Sequence, residues 1–161
     1  MSKGVIQVYY GDGHGKSMAA LGDAIRAAGE GSSVMVIQFL KRKNELEMEF
    51  LNRLEPEIKF FRFAKSDQSF EELSDTQKQE EIMNLRNGFN YGKKVVATGA
   101  CDLLILDELL GALDENVVSD EEVAAMLAGK PEEMSIICTG RVLSDSMRGY
   151  ADRIVHILPE K

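Results

Sequence analysis

The chain has 161 residues, 44% hydrophobic and 29% charged, the proportions of a folded globular protein, and its length suits one compact domain over residues 1–161 rather than two. Acidic residues outnumber basic ones 27 to 19, and the formal charge of −8 opposes nonspecific association with nucleic acid or anionic lipid. No apolar run approaches the roughly 20 residues that span a bilayer and the N-terminus carries no signal core, so a cytoplasmic location without membrane partners is expected.

Val5 to Tyr10 is a β-branched and aromatic run that reads as a strand, closed by the glycine-rich segment GDGHG. The next residues, KSMAALGDAIRAAG, read as a helix with Ala20, Ala24 and Ala27 on one face that can lie close to a sheet, stopped by Gly29 and Gly31. Val34 to Phe39 is almost continuously apolar, as expected of an interior strand covered on both faces. Glu45 to Leu54 is expected to be a short helix, and Ile58 to Phe63 a third strand opened by Pro56.

From Ser74 a long helix is predicted, with Ile82, Leu85, Phe89 and Val96 on one face and Gly88 and Gly92 permitting close approach. Asp102 to Leu106 reads as the fourth strand, ending at the carboxylate pair Asp107-Glu108. Ser119 and Glu122 make a capping box for a helix that Gly129, Lys130 and Pro131 terminate. Met134 to Thr139 is the fifth strand, Ser144 to Tyr150 a short helix and Arg153 to Leu158 the last strand. Cys101 and Cys138 fall beside and within apolar strands, where reduced thiols act as small buried hydrophobes, and no structural zinc is expected. Strands alternating with helices imply parallel β-α-β units, whose ligands sit beyond the carboxyl ends of the strands. The loop at Gly11, the Asp107-Glu108 pair and Thr139-Gly140-Arg141 all fall at that edge.

A phosphate cradle needs glycines so that backbone N–H groups can turn inward, and Gly11, Gly13 and Gly15 supply them. The following helix adds its positive N-terminal end, Lys16 a charge for the outer phosphates and Ser17 a hydroxyl for Mg²⁺. Against the pattern G-x-x-x-x-G-K-[ST] the loop is one residue short, because Tyr10 stands where the first glycine would be. Gly-Lys-Ser directly between a strand and an alanine-rich helix nonetheless favours a triphosphate site over a merely tight turn. The expected fold is therefore α/β, a P-loop NTPase (RecA-like) in three α-β-α layers with a mostly parallel sheet of about six strands.

Asp107 and Glu108 are candidate metal groups, Glu108 as a direct or water-mediated Mg²⁺ ligand and Asp107 as support for Ser17 or a metal-bound water; helix capping or pairing with a lysine is the alternative. Arg141 is a candidate bidentate clamp on phosphate, against a surface salt bridge. His14 has the residue type of an acid or base, but capping the loop or touching phosphate is the expected role. Of the aromatics from Phe60 to Phe70, most are expected in the core, whereas Phe70 in the polar segment KSDQSFEE is placed to face a large flat ligand.

The run VYYGDGHGKSMAALGDAIRAAGEGSSVMVIQF resembles the P-loop ATP:corrinoid adenosyltransferases, whose pattern is close to G-N-G-K-G-K-T-T-A-A, then R-A-x-G-x-G, then V-x-x-x-Q-F. The stretch from DLLILDE through CTGR to ADRIVHI looks like the rest of that family, so the resemblance covers most of the chain. It implies transfer of the adenosyl group of ATP to Co(I) of a corrinoid with release of triphosphate, the nucleotide lying reversed in the loop relative to ordinary P-loop hydrolases. A Co(I) corrinoid is itself the nucleophile, so the protein has to align cobalt with C5′ and stabilise the leaving triphosphate.

By resemblance, Gly11, Asp12, Gly13, His14, Gly15, Lys16, Ser17 and Met18 line the triphosphate, with Lys16 and Arg141 as the candidate catalytic groups. Ser17 and Glu108 would hold Mg²⁺, Thr139 and Arg141 would contact further phosphate oxygens, and Arg26 matches a family arginine. Phe70 falls in the family's F-T-W-E, an aromatic segment that packs on the corrinoid and helps remove its lower axial ligand. The resemblance also implies a homodimer and a separate reductase that delivers electrons to cobalt. The departures are Asp12 for asparagine, His14 for lysine, Met18 for a second threonine and Gln68 for the first aromatic; the N-terminal cover of longer members has no counterpart before Val5. A P-loop ATPase or a nucleotide-binding module without corrinoid chemistry is the alternative reading.

Overall fold

The computed structural model describes residues 3–40 and 48–161. Its centre is a sheet of six parallel strands: β1 (Ile6–Tyr10), β2 (Val34–Gln38), β3 (Ile58–Arg62), β4 (Leu103–Asp107), β5 (Ser135–Gly140) and β6 (Arg153–His156), in the order β3-β2-β4-β5-β1-β6. The register pairs Val34 with Ile58 on one side and with Leu103 on the other, and Ile6 with Ile136. Every residue of β2 and β4 is buried, as strands covered on both faces require.

Strand order and crossover hand together decide where the helices lie. From β1 the chain moves through α1 (Lys16–Gly29) to β2, and through α2 (Met48–Leu51) to β3, in one direction across the sheet. It then reverses through α3 (Asp75–Thr98) to β4, through α4 (Leu109–Asp114) and α5 (Asp120–Ala128) to β5, and through α6 (Asp145–Tyr150) to β6. Right-handed crossovers that run in opposite directions put their helices on opposite faces. The core divides accordingly. Tyr9, Val34, Val36, Leu103, Ile105 and Ile137 pack with Ala20, Ala24 and Leu51 on the α1 face. Val8, Met35, Ile37, Leu104, Leu106 and Cys138 pack with Leu85, Phe89, Val123 and Met147 on the other. Alternate residues of each strand serve alternate faces.

The expected elements form with small shifts at their ends. The fourth strand takes in Asp107, and the last closes at His156, where Ile157 N–H still bonds Tyr10 O at 2.8 Å. Of the helix expected over Glu45 to Leu54, residues 45–47 lie outside the described residues; the remainder is α2 and a 3₁₀ turn at Asn52–Leu54. The long helix starts at a complete capping box, Ser74 with Gln77, and α5 starts at the one formed by Ser119 and Glu122. The helix α4 is an element the sequence reading left unassigned.

Both cysteines are buried, and burial pushes the thiol of Cys101 up to about 11 and that of Cys138 up to about 12. Between α3 and α5, Arg86 meets Glu122 through both guanidinium nitrogens at 2.7 and 3.2 Å and donates to Val117 O at 2.8 Å. The Arg86 bond, with help from Ser119 N–H, holds the Glu122 carboxyl down at about 2. Both side chains are more than one third exposed, so solvent screening keeps the pair's contribution to about 1 kcal/mol or less. A depressed carboxyl stabilises the fold above the unfolded value near 4.5, and that share is lost as pH falls toward 2. Glu122→Gln keeps a capping-box side chain but removes the charge. At pH 7 it should lower the melting temperature by about 2–4 °C, and the loss between wild type and variant should vanish near pH 2 in thermal melts.

Candidate functional site

The carboxyl ends of β1, β4 and β5 adjoin one another and open into a cavity of about 660 Å³. Its walls include Asp12, Gly13, His14, Gly15, Lys16, Ser17 and Met18 from the loop and first turn of α1, Asp107 from the end of β4, Glu108 from just after it, and Arg141 from beyond β5. Phe70 and its neighbours Ser69, Glu71 and Glu72, on a 3₁₀ turn at Phe70–Glu72, line the same cavity.

The loop is held open by its backbone. Gly15, at φ +102°, occupies a conformation that side chains resist, and it hands the chain into α1. Gly11, at φ +129°, lies so close to Ile157 O that a Cβ would overlap it. Gly11 N–H bonds Gly140 O at 3.2 Å and Gly13 N–H bonds Ile157 O at 3.0 Å. Those two glycines therefore shape the loop and tether it to β5 and to the segment after β6; their N–H groups are spent there and not on phosphate. The first helical bond of α1 runs from Ala19 N–H to Gly15 O, so the donors that face the cavity are those of the first turn.

One carboxylate organises the polar floor. Asp107 Oδ1 accepts from Ser17 Oγ at 2.7 Å and from Thr139 Oγ1 at 2.8 Å, and Thr139 Oγ1 accepts from Glu108 N–H at 2.9 Å. Asp107, Glu108 and Thr139 are all buried. Glu108 adopts φ +62° as β4 gives way to α4, which turns its side chain into the cavity wall. Hard oxygen donors gathered beside a phosphate loop suit Mg²⁺, which takes one or two protein oxygens and fills its shell with phosphate and water. Among the described residues there is no cluster of three or more His, Cys, Asp or Glu side chains able to hold a metal alone.

Lys16 Nζ reaches back over the loop to Gly13 O at 2.9 Å. Arg141 Nε lies 3.8 Å from Asp12 Oδ1, both largely exposed, so the guanidinium is drawn across the mouth of the loop. His14 is exposed on the loop and Met18 is 57% exposed at the cavity wall.

Two expected site residues are placed elsewhere. Thr139 is fully buried and its hydroxyl both donates to Asp107 and accepts from Glu108 N–H, so it braces the carboxylates instead of facing phosphate. Arg26 sits in the last turn of α1, exposed and away from the cavity, ten residues beyond Lys16, or about 15 Å along the axis. Gln38, Gly111, Asp114 and Glu115 line the cavity without having been singled out. Gln38 had a signal, a polar residue at the carboxyl end of a buried strand; its Oε1 accepts from Arg62 Nε at 3.2 Å.

A family model described as ATP:corrinoid adenosyltransferase BtuR/CobO/CobP matches residues 2–161. A corrinoid adenosyltransferase of Escherichia coli (strain K12) is 31% identical over 160 residues, 99% of this chain and 79% of that protein. Corrinoid adenosyltransferase CobA of Salmonella typhimurium (strain LT2) is likewise 31% identical over 160 residues, 99% of this chain and 79% of that one. Among solved structures, flagellar accessory protein FlaH from Methanocaldococcus jannaschii is similar with a TM-score of 0.61 at 18% identity, over 97% of this chain and 72% of that one. A KaiC-like protein from Pyrococcus horikoshii OT3 is similar with a TM-score of 0.63 at 17% identity, over 100% of this chain and 76% of that one. At those identities the structural likeness speaks for the fold alone.

The bracing role of Thr139 predicts the outcome of Thr139→Val. Glu108 N–H would be buried without its acceptor, so urea unfolding should show a loss of about 1–3 kcal/mol together with weaker MgATP binding. A direct phosphate contact would instead weaken binding with stability unchanged.

Proposed function

The chain belongs to the ATP:corrinoid adenosyltransferase family BtuR/CobO/CobP and is a transferase, and from that premise we propose that it holds MgATP on the loop Gly11 to Ser17 and passes the 5′-deoxyadenosyl group to Co(I) of a corrinoid seated against Phe70. The observation that carries the residue assignments is that the triphosphate loop, the Asp107-Glu108 pair and the Phe70 turn line one cavity. A nucleotide and a large flat ring can meet there without a carrier residue between them.

In the reaction the cobalt electron pair attacks C5′, the C5′–O5′ bond breaks and triphosphate leaves with its electrons. The protein supplies no nucleophile or base. Its task is alignment and stabilisation of the developing negative charge. Lys16, Arg141 and the N-terminal turn of α1 serve the triphosphate, Arg141 by exchanging Asp12 for phosphate oxygen. Ser17 and Glu108 would hold Mg²⁺, and Asp107 orients Ser17. The ion supplies charge neutralisation on the triphosphate.

Burial places Phe70 half within the wall, with one part of the ring available to a flat partner. A corrinoid that lost its lower axial ligand on packing against Phe70 would be easier to reduce, which fits electron delivery by a separate reductase. Among the described residues no helix is long and apolar enough to cross a membrane. A cytoplasmic setting and a homodimer complete the reading; Met18, Ile25 and Phe50 are large apolar side chains left exposed on α1 and α2.

An anaerobic assay with MgATP and chemically reduced cobalamin or cobinamide tests this. A light-sensitive adenosyl-cobalt spectrum with one free triphosphate per turnover is expected. Lys16→Ala should lower kcat/KM about 10²–10³-fold, as loss of one charge-stabilising donor does elsewhere. Orthophosphate without adenosylcorrinoid would overturn the reading in favour of an ATPase.

A further inference from the structure

Between β3 and the turn that carries Phe70, the chain runs through residues 63–69 without regular structure. What fixes this segment is a charged group from another element. Glu81, in the second turn of α3, is only 6% exposed. One carboxylate oxygen accepts from Lys65 N–H at 2.8 Å and from Asn84 Nδ2 at 3.0 Å, and the other accepts from Ser66 N–H at 2.8 Å. Burial alone would raise this carboxyl, but the N–H of Lys65, the Asn84 amide, the N–H of Ser66 and the Lys65 charge outweigh it and hold the group below the usual carboxylate range. The clamp is thus ionised, and charge-assisted bonds are roughly twice as strong as neutral ones.

The clamp lies beside Phe70. Ser66 Oγ accepts from Gln68 N–H at 3.1 Å, continuing the fixed stretch toward the turn. Leu40, Ala64, Ser66, Gln68, Phe70 and Glu81 line one small crevice, which puts the carboxylate, the loop and the aromatic ring side by side. On the upstream side the Phe63 ring lies on Gly88, where a Cβ would come within 2.9 Å of it. Lys78, one turn before Glu81, places Nζ 5.7 Å from the centre of the Phe70 ring. A bidentate acceptor for two successive backbone N–H groups works whatever side chains stand at 65 and 66, which is how a loop of weak sequence pattern can still be held rigidly.

Resting on the adenosyltransferase reading, we infer that Glu81 is a positioning residue for the corrinoid half of the reaction: through Lys65 and Ser66 N–H it holds the turn that presents Phe70 to the cavity. ATP seating is left untouched, because the triphosphate loop is fixed separately by Gly140, Ile157 and Asp107.

The test is Glu81→Gln in the full chain, an isostere that can accept at only one of its two terminal atoms. Steady-state kinetics with reduced cobalamin, thermal melts and electron paramagnetic resonance of Co(II) cobalamin with MgATP are compared with wild type. The corrinoid KM should rise about tenfold, a loss of about 1.4 kcal/mol, while the ATP KM stays within about twofold. The Co(II) signal should keep more of its axially ligated form than in wild type. An unchanged corrinoid KM and signal in a folded variant, or both KM values moving together with the melting temperature, would overturn the inference. Should Glu81→Gln fail to fold, Asn84→Ala removes one brace on the carboxylate and should give the same split at smaller size; equal shifts in both KM values would again overturn it. A wild-type enzyme that forms no adenosylcorrinoid is a different failure, that of the functional reading, and is seen before any variant is made.

Discussion

The site depends on one oxygen, Asp107 Oδ1. By accepting from Ser17 and Thr139 at once, it joins the loop after β1 to the carboxyl ends of β4 and β5. Thr139 passes the constraint to Glu108 through its N–H. In a buried setting such a chain of polar groups is stable only when every member is satisfied. Among the described residues, no buried side-chain nitrogen or oxygen lacks a hydrogen-bond partner. The Ser17 hydroxyl and the carboxylates beside it are consequently placed by the sheet itself, and the Ser17–Asp107 bond ties the loop to them.

The sheet can impose this because it is wound in two directions. Strands β1 to β3 run one way across it and β4 to β6 return, so the crevice opens where β1, β5 and β4 lie side by side. The two faces are covered unequally. α1 approaches through alanines and can lie close to the sheet, bringing its first turn directly over the strand ends. The other face carries the bulkier layer, with Leu85, Phe89, Val123, Met126 and Met147, and from that layer α3 reaches around to the Phe70 turn. The loop side and the Phe70 side of the cavity are therefore set by helices on opposite faces.

The strands were legible because a parallel sheet covered on both faces writes itself as short apolar runs, VMVIQF and DLLIL among them. Gly-Lys-Ser between strand and helix marked the loop for an equally local reason. What escaped was everything that depends on a distant partner. The short helix Leu109 to Asp114 also went unassigned, because its 6 residues are too few to show a helical period. Nothing local says that the N–H groups of Gly11 and Gly13 are engaged by Gly140 and Ile157, or that the Thr139 hydroxyl is occupied. Glu81 is hidden more thoroughly still, since on a polar helix it reads as one more solvated acid, and its value comes from a loop fifteen residues away.

The altered loop residues take on a physical meaning once the cations are located. On the proposed reading, Lys16 and Arg141 serve the triphosphate, yet here Lys16 rests on Gly13 O and Arg141 leans toward Asp12. Both partners are weak. A lone carbonyl, and an exposed ion pair worth about 1 kcal/mol or less, cannot compete with a multiply charged anion that enters the same cavity. On that reading the cations are kept near the triphosphate at little cost, which is the condition for electrostatic stabilisation without large reorganisation. Asp12 does more than replace an uncharged side chain. Its carboxylate gives Arg141, at the strand end beyond β5, a weak partner on the loop. On the proposed reading, with histidine at position 14, the burden on the leaving triphosphate falls on Arg141, on Lys16 and on the first turn of α1.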